Sequence, residues 1–94
     1  MVVGVCTLEL DIPASQSLKD KRHVVKSLTS RVRRSFNVSV AEVDSLDAWQ
    51  RATLGIVCVS SDHDYAQGLL QKVIDSIERM RVDAVIADFS IEIW

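Results

Sequence analysis

The stretch "SLKDKRHVVKSLTSRVRR", residues 17–34, decides the fold because it encodes a complete amphipathic helix between two strand patterns. Ser17 is a favoured N-cap residue, and Asp20, three positions later, resembles the acidic member of a capping box, with Asp in place of the usual Glu. Asn37 is the predicted stop. The apolar residues that recur at helical spacing, and so predict one buried stripe, are Leu18, Val24, Val25, Leu28, Val32 and Phe36.

The same stretch contains seven of the eleven Lys and Arg residues of a chain whose net charge is -2. On a helical wheel of about 100° per residue, counted from Leu18, the apolar stripe is centred at about 310°. Lys21 falls on this apolar side, and its long stem predicts that the amine reaches past the edge of the core. Four cations lie beside the stripe, in an arc from about 40° to about 100°. These candidate anion- or nucleic-acid-binding residues are Lys19, Arg22, Lys26 and Arg33.

Three interpretations of this basic stripe stay open: a solvated helix surface, a contact for phosphate or nucleic acid, and a contact for an acidic protein. Residues 1–40 carry seven basic and three acidic side chains, whereas residues 41–94 carry four and ten. Such an asymmetry bears on partners rather than on the fold. Cations in the first helical turn oppose the helix dipole, but an anion bound there would be stabilised.

The segments around this helix predict strands and a second helix. Residues 2–12 alternate apolar and polar side chains, as in a half-buried strand that ends at Pro13. The Val-rich residues 38–44 predict a second strand, and residues 51–60 predict a third strand that is apolar on both faces in its middle. The second helix follows "SDHD", with Asp62 and Asp64 as its N-cap candidates.

Residues 82–93 predict the last strand. The side chains expected on one of its faces are Val85, Ala87, Phe89, Ile91 and Ile93. The resulting order β-α-β-β-α-β predicts an α+β, ferredoxin-like fold, in which a four-stranded antiparallel sheet has both helices on one face. We expect a single domain over residues 1–94. The first and third strands are central in this topology.

Cys6 and Cys58 are therefore expected as neighbouring buried thiols on the helix-covered face, rather than as a disulfide or a zinc site. No metal or cofactor is expected. No apolar run reaches the roughly 18–20 residues that span a bilayer. The first residues predict a strand rather than a signal peptide, so we expect no membrane association and a cytoplasmic location.

The ferredoxin-like fold serves many unrelated functions, so each must be tested on the residues. RNA recognition motifs stack bases on aromatic residues of the third strand, but "RATLGIVCVS", residues 51–60, has none. The predicted open face of the sheet instead presents carboxylates, which repel phosphate: Glu9, Asp11, Asp88 and Glu92. Local spacing suggests no nucleophile–base set, so we expect a protein that is not an enzyme.

Three residues are candidates for a protein interface: Trp49, Arg51 and Trp94. Trp and Arg are enriched at interface hot spots, although Trp49 is also interpreted as packing over an edge of the sheet. The long apolar stretch "VIADFSIEIW", residues 85–94, lies on a predicted edge strand, which needs covering or pairing. A homodimer that pairs these edges or packs the open sheet face is one hypothesis.

Two stretches, "SLKDKRHVVKSLTSRVRRSFNVSVAEVD" (17–44) and "WQRATLGIVCVSSD" (49–62), resemble the YlxP-like family of small bacterial proteins, a domain of unknown function. The resemblance covers nearly the full length and implies a ferredoxin-like fold. The family has no established activity, so the resemblance implies no catalytic residue. Its genes often lie near those of translation and ribosome-maturation factors, which implies an association with RNA or the ribosome.

Two functional hypotheses follow. The first is a non-catalytic binding module, associated with RNA or the ribosome through the basic first helix. The alternative is a homodimeric protein-interaction or regulatory module that binds a protein partner.

Overall fold

The computed structural model describes residues 1–80 and 82–94. Its elements follow the predicted order: β1 (Val2–Asp11), α1 (Leu18–Ser35), β2 (Ser39–Asp44), β3 (Arg51–Ser60), α2 (His63–Arg79) and β4 (Val85–Ile93). The strands form one antiparallel sheet in the order β2-β3-β1-β4. Both helices cover one face of this sheet, and the other face is called the open face below. The ferredoxin-like prediction is confirmed.

Both helices begin at side-chain caps. Ser17 has extended backbone, and its Oγ accepts a hydrogen bond from the Asp20 N–H at 3.0 Å. The Asp20 carboxylate accepts from the N–H of Gln16, at 3.0 Å, rather than from that of Ser17. In α2 the N-cap is Asp62, whose Oδ2 accepts from the Tyr65 N–H at 2.8 Å. Each cap satisfies a backbone donor that has no partner inside its helix.

The core lies between the helices and the alternate residues of β1 and β3 that face them. Cys6 and Cys58 are free thiols buried in this layer, as predicted. Cys6 stands opposite Ile56 and Cys58 opposite Gly4, so the two thiols occupy diagonal positions on the central strands. The largest side chains with almost no exposure include Leu8, Leu28, Leu54, Ile56, Leu70 and Ile74.

The predicted alternation of β4 is wrong at its start, because the strand contains a bulge. Asp88 pairs with Glu9, whereas Ile86 pairs with the next residue of β1, so Ala87 has no partner. An extra residue reverses the faces of the side chains before it. Ile86 therefore turns towards the helices, and Val85 lies on the open face, opposite Asp11. Within the two described ranges, neither helix is long and apolar enough to cross a membrane.

Candidate functional site

The solvent side of α1 presents a groove whose lining contains three Lys and Arg side chains and two carboxylates. The helix buries one side against the sheet, through Val25, Leu28 and Val32, and leaves the other side in solvent. Lys19, Arg22, His23 and Lys26 are exposed on that solvent side. They line a cavity of about 480 Å³, which we call the basic groove. The remaining lining residues are Ile12, Ala14, Ser15, Asp20, Val24 and Asp83.

The Lys and Arg side chains of this groove have no acidic partner among the described residues. Across residues 1–80 and 82–94, the side chains at salt-bridge distance are Lys21 with Glu42 and His63 with Asp64. Lys19, Arg22 and Lys26 are therefore unpaired among the described residues. Because these three side chains form no ion pair within the described residues, an external anion can bind them without breaking one. Exposed ion pairs contribute little to stability in any case.

Arg33, the fourth member of the predicted stripe, has a different environment. Its guanidinium Nη2 donates to the backbone carbonyl of Val40 at 2.8 Å. It lies two turns beyond Lys26, or about 10 Å along the helix axis, and does not line the basic groove. The structure thus brings together three of the four predicted residues, whereas Arg33 connects the end of α1 to β2.

Lys21 is completely buried, so the prediction that its amine reaches past the core was wrong. Only 1% of its side chain is exposed. Its ammonium donates to Glu42 Oε2 at 2.8 Å, to the Ser45 carbonyl at 2.9 Å and to the Leu46 carbonyl at 3.1 Å. All three N–H donors are satisfied, as a buried ammonium requires. Lys21 thereby connects α1 to β2 and to the start of the β2–β3 connection.

The three interface candidates do not form one cluster. Trp94 pairs with Val3 through two backbone hydrogen bonds, of 2.8 and 2.9 Å, and its indole donates to Glu92 Oε2 at 3.1 Å. Arg51 pairs with Asp11, eight residues further along β1, or about 27 Å away. Trp94 and Arg51 thus lie at opposite ends of the sheet. Trp49 is 55% exposed in the β2–β3 connection.

The open face is divided into an apolar and an acidic end. Pairing registers place five apolar side chains and one carboxylate, Glu92 opposite Val5, at one end; the apolar ones are Val3, Val5, Val57, Val59 and Trp94. They place four carboxylates at the other end: Glu9, Asp11, Asp44 and Asp88. Glu9 accepts a hydrogen bond from the Thr53 hydroxyl at 2.8 Å. We call these groups the apolar end and the acidic end. Sequence alternation indicated Glu9, Asp11 and Asp88, but Asp44 joins them only through the register, and the predicted Glu92 stands at the apolar end.

Burial raises the pKa of the Cys6 thiol from 9.0 to about 11, because the thiolate would lose its hydration in the core. The folded state therefore holds this proton more tightly than the unfolded state. Its contribution to stability is complete below pH 9 and is lost as the pH rises through about 11. We expect the free energy of unfolding to fall over this interval, by up to about 1.4 kcal/mol per pH unit from this group.

Urea denaturation of the wild type and of Cys6→Ala between pH 8 and pH 11 measures this dependence. The variant is less stable by a constant amount below pH 9, and the difference should shrink above it. A difference that does not change with pH would contradict the assignment.

Comparisons of the sequence identify its relatives. The sequence model of a family described as a protein of unknown function (DUF503) matches residues 3–91. The chain is also 39% identical, over 77 residues, to a Bacillus subtilis (strain 168) protein described as the uncharacterized protein YlxP. That alignment covers 82% of this chain and 84% of the relative.

Two solved structures share the fold. The de novo designed protein LFR1 1 with ferredoxin fold has a TM-score of 0.56 at 17% identity, over 98% of this chain and 85% of the design. LarC2, the C-terminal domain of a cyclometallase involved in the synthesis of the NPN cofactor of lactate racemase, has a TM-score of 0.52 at 12% identity. That match covers all of this chain and 55% of LarC2. At these identities, both similarities show the fold alone.

Proposed function

Because the chain belongs to the DUF503 family of proteins of unknown function, we propose its role from the charged surface: a non-catalytic, cytoplasmic module that binds the phosphate backbone of RNA. One observation carries this proposal. Lys19, Arg22 and Lys26 are exposed in one groove and have no acidic partner among the described residues. Lys and Arg side chains that neutralise phosphates release counterions, which favours binding at low salt. The ribosome is the candidate assembly, because the resemblance to the YlxP-like family implies an association with RNA or the ribosome.

The distribution of charge predicts which side of the molecule faces RNA. The basic groove is on the helix side of the molecule, whereas the acidic end is on the open face of the sheet. RNA is attracted to the first surface and repelled by the second. The net charge of -2 opposes tight nonspecific binding, so the affinity should depend strongly on salt. Three phosphate contacts to a single strand correspond to a slope of about -2 in log K against log salt.

Fluorescence anisotropy with a labelled single-stranded RNA of about 20 nucleotides, at about 50 mM salt, tests the proposal. We expect the double variant Lys19→Glu, Arg22→Glu to bind at least about tenfold more weakly than the wild type, and its salt slope to be smaller by about 1.4, the share of two of the three contacts. The melting temperature should stay the same, because neither side chain has an ion pair in the described part of the chain.

The matched control is Lys72→Glu, Arg79→Glu, which makes the same change in net charge on exposed residues of α2. Its affinity for RNA should stay within about twofold of the wild type, since the long-range field is screened beyond about 10 Å. Equal weakening of both variants would mean that only net charge matters, and the groove would then not be the site. Failure of the wild type to bind RNA at low salt would also overturn the proposal. Co-sedimentation of the same variants with ribosomes extends the test to the assembled particle.

A further inference from the structure

We infer that the open face of the sheet docks a basic amphipathic helix of a protein partner. The face lies opposite the helices, so this second surface is separate from the basic groove. The inference does not depend on RNA binding. Its support is the arrangement of apolar and acidic side chains along the strands.

The apolar end exposes hydrophobic side chains to solvent around a single carboxylate, Glu92. Trp94 is 75% exposed and Val59 65% exposed, and Val3, Val5 and Val57 are partly exposed beside them. Trp94 is held in place by its backbone hydrogen bonds to Val3 and by the bond from its indole to Glu92. An exposed aromatic ring that is already positioned is the kind of anchor on which protein interfaces depend.

The acidic end makes the face complementary to a cationic partner. Its four carboxylates stand in two adjacent rows across the sheet, and Arg51 is the cation that the pairing registers place among them. A partner with Lys or Arg at this position gains electrostatic complementarity and a faster association rate. RNA does not fit this face, because its phosphates would meet these carboxylates.

The dimensions of the face suit a helix. From Val3 to Asp11 the face extends about 27 Å, which is the length of a helix of about 18 residues. A helix that presents apolar side chains over its first half and cations over its second half matches the two ends in order. Amphipathic helices dock on hydrophobic surfaces through such spaced anchors.

A second copy of this chain is a poorer occupant of the same face. A two-fold axis parallel to the strands would place one acidic end on the other, and eight carboxylates would repel one another. A two-fold axis perpendicular to the strands, in the plane of the interface, would place each apolar end on an acidic end. Either arrangement leaves charges buried without partners, which is costly. The charge pattern therefore favours a cationic partner.

The test uses a synthetic helical peptide of about 18 residues, with Leu on one face of its first half and Lys on the same face of its second half. Binding is followed by the fluorescence of Trp94 in a Trp49→Phe background. We expect the emission to shift to shorter wavelength on binding. Asp11→Lys, Asp88→Lys should weaken binding by at least about tenfold.

Three controls make the result specific. Asp75→Lys, Glu78→Lys makes the same change in charge on α2 and should leave peptide affinity within about twofold. A peptide with Glu in place of Lys should not bind. Lys19→Glu, Arg22→Glu should bind the peptide as well as the wild type, which separates this inference from the proposed RNA contact.

Several outcomes would overturn the inference. They are absence of binding by the Lys peptide, equal binding of the two peptides, and equal affinity of the Asp11→Lys, Asp88→Lys variant. Sedimentation showing a dimer that Val59→Lys dissociates would also overturn it, because a second copy would then occupy the face.

Discussion

Replacement of Lys21 by Ala should lower the free energy of unfolding by about 3–5 kcal/mol, the loss typical of a buried ion pair with one partner removed. The substitution leaves the Glu42 carboxylate, only 16% exposed, without its cation. It also leaves the carbonyls of Ser45 and Leu46 without the ammonium that donates to them. The largely buried carboxylate then bears a desolvation cost that no interaction offsets. Urea denaturation followed by circular dichroism measures the change.

Lys19→Ala is the matched control, because it removes the same side chain type from the exposed side of the same helix. The free energy of unfolding of this variant should stay within about 0.5 kcal/mol of the wild-type value. In the double variant Lys21→Met, Glu42→Gln both charges are absent, so the loss should be smaller than in Lys21→Ala. If Lys21→Ala were no less stable than Lys19→Ala, the buried ammonium would not be holding β2 and the connection after it.

Gly4→Val should destabilise the protein by about 3 kcal/mol, because the position has no room for a side chain. A Cβ on Gly4 would stand 2.9 Å from the Sγ of Cys58 and 2.9 Å from Cδ1 of Leu70, closer than real contacts allow. Both neighbours are buried, so neither moves without disturbing the packing between β1, β3 and α2. Thermal or urea unfolding gives the magnitude.

Gly55→Val is the control for Gly4, since it makes the same substitution on the opposite face of the sheet. Its nearest neighbour would be Cγ1 of Val43 at 3.1 Å, and Val43 is exposed and can rotate away. The cost should be within about 1 kcal/mol, because Val also favours strands over Gly. Gly4→Ala places a Cβ against the Sγ of Cys58, so adding Cys58→Ala to this variant should recover part of the stability that Gly4→Ala loses. Equal losses at Gly4 and Gly55 would contradict the packing argument.

Much of this architecture follows from patterns local in the sequence. Ser17 predicts the start of α1 because a cap bonds to an N–H only three residues away. The burial of Cys6 and Cys58 follows from the strand alternation together with a topology in which β1 and β3 are central. The solvent position of Lys19, Arg22 and Lys26 follows from the helical period alone.

Other features depend on partners that lie on a different helix or strand. The helical period correctly placed Lys21 on the apolar side of α1, but its partner Glu42 is 21 residues away on β2. The guanidinium of Arg33 donates to the carbonyl of Val40 on β2, so Arg33 lies apart from the other three predicted cations. The bulge at Ala87 depends on the pairing of β4 with β1, and strand periodicity alone contains no sign of it.

The sequence alone therefore determined the order of the elements, the caps and the buried stripes, since each depends on side chains within one or two turns of each other. The tertiary structure decided which of the Lys and Arg side chains between positions 17 and 34 are available for binding. It buried Lys21 against a carboxylate, bonded Arg33 to a strand and placed Lys19, Arg22 and Lys26 in one groove, without an acidic partner among the described residues. The reason is that the carboxylate that pairs with Lys21 and the carbonyl that accepts from Arg33 lie on β2, and only the packing of β2 against α1 brings these groups within hydrogen-bond distance.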